Sequence, residues 1–267
     1  WCLEDSPQMK DRFTRSLTEM IERDRNHVSL AIFGFLNETP DGPVFRHAVA
    51  SLPTARALDP AHLFLLQSGR WDGQWDIGSV SNPGSNEWEY EWGAEAKDTP
   101  QRGTWGMFGG YFTGAGDAHI YPAVPHTPEI ENGIRTLGST TKPVFVSEYG
   151  IGSLMNAVRE CRLFEQNGAN QNSDEYKYFK NTEDRLAADW ERLGFNEVYA
   201  SPQEMLRDSQ RLHCRQRTLG FNLIRSNPNI CGLNLTGMLD HVFSGEGLCT
   251  YWCEYELRIM DVLQDEL

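Results

Sequence analysis

The chain has 267 residues, 39% of them hydrophobic and 23% charged, with a formal net charge of -14. That length holds one α/β barrel or two smaller domains, and the composition is that of a globular protein. The negative balance disfavours nucleic acid and anionic membrane as partners, and it suits a neutral or cationic ligand.

In chain order, Ser6-Pro7 reads as a helix start, the hydroxyl capping and the proline in the first turn. Met9, Phe13, Leu17, Met20 and Ile21 then give one apolar helical face. Residues 28–36 are a near-continuous apolar run closing on Asn37-Glu38, which predicts a parallel strand covered on both faces. After the breaker Thr39-Pro40-Asp41-Gly42-Pro43, a helix is expected through about Leu58, then a short strand over 62–67 closed by Ser68-Gly69. Residues 70–116 form a long irregular stretch holding Trp71, Trp75, Trp88, Trp92 and Trp105. A loop of that length inside a domain is usually functional, and its aromatic content argues against disorder.

A third strand is expected at 118–121, a helix at 128–137 and a fourth strand at 143–147 running into Glu148-Tyr149-Gly150. A helical region interrupted over 167–174 follows. Ser201-Pro202-Gln203-Glu204 is a capping box opening a helix with Met205, Leu206, Leu212, Leu219 and Leu223. A last strand falls at 230–235. Strands alternating with helices predict a parallel sheet with right-handed crossovers, with polar residues just past the strand ends. No apolar run reaches the ~18 residues of a membrane span. The six cysteines form no CxxC pair and no zinc-like spacing with histidine, so they are expected as scattered thiols, and the compartment stays undefined.

Glu38 and Glu148 each follow an apolar strand directly, where a buried strand opens onto loops. Cleaving a glycosidic bond needs an acid at the leaving oxygen and a second carboxylate across the sugar, and two strand-end glutamates can supply both. Strand-end glutamates also pair with arginine or bind metals, so position alone leaves these readings open.

The run Asp24-Arg25-Asn26-His27-Val28-Ser29-Leu30-Ala31-Ile32-Phe33-Gly34-Phe35-Leu36-Asn37-Glu38 resembles the acid/base signature of glycoside hydrolase family 2, the β-galactosidases, β-glucuronidases and β-mannosidases. Phe33 stands where the family usually has tryptophan. Pro143-Val144-Phe145-Val146-Ser147-Glu148-Tyr149-Gly150 resembles the nucleophile strand of the same clan. The resemblance implies a (β/α)8 barrel seen from the end of its third strand to its eighth, with Glu38 and Glu148 on the fourth and seventh. It implies that Glu38 is the general acid/base, that Glu148 is the nucleophile and that Asn37 hydrogen-bonds the sugar 2-hydroxyl. His119-Ile120-Tyr121 resembles the clan's His-x-Tyr, whose tyrosine hydrogen-bonds the nucleophile. Trp71 and Trp105 are the expected stacking platforms for pyranose rings. Where many clan members place a tryptophan, the last strand runs on to Asp240, which reads more readily as a loop cap than as a sugar ligand.

These readings make the whole chain, 1–267, a glycosidase barrel domain without its first strands. A β-glycoside is the expected substrate, hydrolysed with retention and without a required metal or organic cofactor. Oligomerisation or further N-terminal domains would complete such a scaffold. Two other readings stay open: a non-catalytic or incomplete sugar-binding fragment, which would bind without turnover, and an endo-acting mannanase- or cellulase-like enzyme, which would cleave polysaccharide but not aryl monosaccharides.

Overall fold

A computed structural model describes residues 6–37, 39, 42–68, 116–137, 144–240 and 245–254. The elements run α1 Met9–Asp24, β1 Ile32–Asn37, α2 Pro43–Leu58, β2 Leu63–Ser68, β3 Gly116–Ile120, α3 Pro128–Thr136, β4 Val144–Tyr149, α4 Ala157–Gln166, α5 Asp174–Asp189, α6 Pro202–Ser226 and β5 Ile230–Leu235. The protein is therefore mixed α/β. β1 and β2 pair in parallel, with Phe33 opposite Phe64 and Asn37 opposite Ser68. β3, β4 and β5 form a second sheet in that order. The described strands thus make sheets of two and three strands, and a complete eight-stranded barrel is not among them.

The chain divides into two compact units. The first comprises residues 1–120, 136–148 and 227–234. Its core is built where α1, α2 and the β1–β2 pair meet: Leu17, Ile21, Phe33, Leu36, Phe45, Ala48, Leu52, Ala55, Phe64 and Leu66 are all buried. Phe33 stacks on Phe64 at 5.7 Å between ring centroids. It also meets the edge of His62 at the same separation. The ring is thus held by aromatic packing, a contact type that adds to simple area burial.

Two expectations are corrected here. Gln8 caps α1 without a side-chain bond, and Ser6 contributes its carbonyl, which accepts from Met9 N at 2.9 Å, rather than its hydroxyl. The first strand also begins later than the apolar run suggests. His27 N donates to the Asp24 carbonyl and Leu30 N to the His27 carbonyl, so residues 27–30 turn and Val28 is wholly exposed. Hydrophobicity alone does not hold a residue in a strand when turn hydrogen bonds claim its backbone.

The second unit comprises residues 121–135, 149–226 and 235–267. α4 and α5 pack through Ala157, Cys161, Phe164, Tyr176 and Phe179, with Trp252 against the same cluster. Caps set their starts: Asn156 accepts from Arg159 N at 3.1 Å and Ser173 from Tyr176 N at 3.2 Å. In α6, Ser201 Oγ accepts from Glu204 N at 3.2 Å while Glu204 reaches back to Ala200 N at 2.9 Å. The reciprocal box is formed, displaced by one residue on its return arm. Among the described residues Cys161, Cys231 and Cys253 are free thiols, and no helix is long and apolar enough to cross a membrane.

Candidate functional site

β4 presents alternating surroundings along its length. Val144, Val146 and Tyr149 are fully buried, whereas the Glu148 side chain keeps 18% of its surface. A carboxylate at the last-but-one position of a strand is thereby anchored by buried neighbours yet partly exposed. Its Oε2 lies 3.2 Å from Nδ1 of His119, a ring only 3% exposed on the adjacent strand β3. Ser147 Oγ donates to the Ala118 carbonyl at 3.5 Å, a second tie between the same two strands. With its proton on Nδ1, the His119 ring donates to the carboxylate and limits its rotation.

A second pair of polar groups closes β1 and β2. Ser68 Oγ donates to Asn37 Oδ1 at 2.6 Å, and the parallel register sets these two strand-end residues opposite each other. The bond fixes which way the Asn37 amide points, with its oxygen toward Ser68. Thr39, 5% exposed, donates to the Asn37 carbonyl at 3.0 Å and holds the chain as it leaves the strand. Ser68 was not singled out as a site residue from sequence. The signal that could have found it is register: two parallel strands of equal length end opposite each other, so the residue closing one strand meets the residue closing its neighbour.

Tyr121 follows β3 half-buried. A Cβ on Gly150 would overlap its ring carbons, so glycine at 150 reflects close approach of ring to backbone. The structure brings His119 onto Glu148 and Ser68 onto Asn37. Glu38, Trp71 and Trp105 lie outside the described residues, as does the aromatic stretch up to residue 115. Asp240 serves as a loop cap: its Oδ1 accepts from Gly247 N at 2.8 Å and its own N donates to the Cys249 carbonyl at 2.8 Å.

No protein-family model matches the chain, and no curated protein does. Among solved structures it is similar to a β-glucuronidase of Faecalibacterium prausnitzii, with a TM-score of 0.45 and 14% sequence identity. The match covers 96% of this chain and 34% of that one, so the chain spans about a third of the length of that enzyme.

Proposed function

We propose that the chain hydrolyses β-glycosidic bonds with retention of configuration, using Glu148 as nucleophile and Glu38 as acid/base. The observation that carries the reading is the partly exposed Glu148 carboxylate at a strand end, 3.2 Å from a buried histidine. Its support in sequence is the paired strand-end motifs. Glu38 protonates the departing oxygen while Glu148 attacks the anomeric carbon, giving a glycosyl ester. The charge of Glu148 is then gone. Glu38, now ionised, activates water, which cleaves the ester from the face the leaving group vacated. Asn37, oriented by Ser68, donates to the sugar 2-hydroxyl, a contact that helps the rate by tightening in the transition state. Tyr121 is a further sugar- or nucleophile-contacting group, and Trp71 and Trp105 supply the aromatic walls. No cofactor takes part.

A panel of aryl β-glycosides tests the activity. A 2-fluoro glycoside tests the nucleophile: peptide mapping should find one sugar on Glu148, and Glu148→Gln should carry none. Labelling of that variant at wild-type level overturns the assignment. His119→Ala should lower kcat by about a hundredfold with little change in KM, because it misplaces the attacking oxygen rather than the sugar. Steady-state kinetics with an activated aryl glycoside read that split, and an unchanged kcat would remove His119 from the mechanism.

A further inference from the structure

The second unit contains a carboxyl that the proposed chemistry does not use. Glu160 lies in the first turn of α4 and is fully buried, and neither of its carboxyl oxygens has a hydrogen-bond partner. An ionised carboxylate in such a place loses its hydration and gains nothing in exchange. Its charged neighbours make matters worse. Asp240, from the turn after β5, and Glu254 both repel it, and among the described residues the cation facing it is Arg159 on its own helix. Arg159 is shared: its guanidinium is 3.0 Å from Glu254. α5, packed on the same helix, directs Lys180 and Glu183 at Cys161, and Arg217 of α6 donates to His213 and to the Glu246 carbonyl.

Asp240 cannot retreat cheaply. Its carboxylate and amide hold Gly247 and Cys249, so moving it undoes the fold around those two residues. The segment 245–254 is seated on α4 through Trp252, whose ring meets Phe164 edge-on at 5.0 Å. Thr250 Oγ1 gathers the amides of Trp252 and Glu254, each at 3.2 Å. Among the described residues no group of three or more acidic, histidine or cysteine side chains is placed to hold a metal ion.

We propose that Glu160 is a proton-operated latch: protonated, it lets residues 245–254 sit closed against α4; ionised, it drives that segment off through repulsion from Asp240 and Glu254. Burial first, and Asp240 second, push the Glu160 carboxyl up to about 7 despite Arg159, so the latch works across neutrality. Opening uncovers Phe164 and Trp252. The inference is independent of the glycosidase reading and stands or falls by itself.

Amide hydrogen exchange on the whole chain, corrected for intrinsic rates, tests it at about pH 5.5 and about pH 8.5. In the wild type, protection of the Gly247, Cys249 and Glu254 amides should fall about tenfold or more as pH rises, while mid-α6 amides stay protected. Glu160→Gln should abolish the pH dependence and stay protected. Asp240→Asn keeps the acceptor for Gly247 and should shift the midpoint downward. Wild-type protection that does not change with pH, or an equal pH dependence in Glu160→Gln, overturns the latch. Should the variants not fold, the 13C-carboxyl titration of Glu160 in the wild type decides: a midpoint near 7 supports the latch, and one in the ordinary glutamate range overturns it.

Discussion

Gly220 shows how a single position can reverse a rule of thumb. It sits within α6, where exchanging glycine for alanine ordinarily stabilises a helix by about 1 kcal/mol. Here a Cβ would fall on the hydroxyl of the fully buried Tyr149. Gly220→Ala should therefore destabilise the protein by about 1–3 kcal/mol, the usual range for overpacking. Tyr149→Phe, by deleting the atom in the way, should recover part of that loss in the double variant. Urea denaturation of the four proteins measures both effects, and a stabilised Gly220→Ala would show that the tyrosine moves aside without cost. Ser68 is the corresponding case at the candidate site. Ser68→Ala removes the hydroxyl that orients Asn37, so it should weaken turnover while leaving the buried β1–β2 pairing intact.

At the scale of elements, α6 is stabilised at its start by a local device. Ser201→Ala should cost about 1 kcal/mol, measurable by chemical denaturation, because the Glu204 amide loses its acceptor. This device was readable from the sequence, because a capping box and a proline act over four residues and need no distant partner. The order of strands and helices was readable for the same reason: apolar periodicity and breakers are local. The buried face of α6 was readable only in part. Leu206 and Leu223 are buried, yet Leu212 is 39% exposed while Gln210, His213 and Arg217 lie buried at helical spacing. Arg217 donates to the Glu246 carbonyl, far along the chain, a partner that local sequence does not reveal. The start of β1 was misjudged because turn hydrogen bonds at residues 24–30 outweigh the apolar character of Val28. Within the candidate site, the strand-end glutamate and the histidine two residues before Tyr121 were legible as motifs. Ser68 was not, because its role exists only once two strands share a register.

For the molecule as a whole, two buried groups pull the pH dependence of stability in opposite directions. His213 is held neutral: burial, then the neighbouring Arg217 charge, depress its pKa to about 3. Its contribution is present above the unfolded value of about 6.5 and is lost as pH falls toward about 3. Glu160 is raised to about 7, so its contribution is full below the unfolded value of about 4.5 and is lost as pH rises toward 7. Between about pH 4.5 and 6.5 the two slopes oppose each other, each at most about 1.4 kcal/mol per pH unit, and stability should be nearly flat. Glu160→Gln should unmask a stability that climbs with pH across that window, read by urea midpoints at several pH values; a flat profile in the variant would contradict the assignment of His213. The division into two units has a further consequence, for biosynthesis. The chain passes back and forth between them, and each draws on residues beyond 226 for its last piece. A nascent chain halted at Ser226 would lack β5 of one unit and residues 245–254 of the other. The order of translation therefore offers no stage at which the first unit is finished before the second begins, and both must wait for the same late stretch to leave the ribosome.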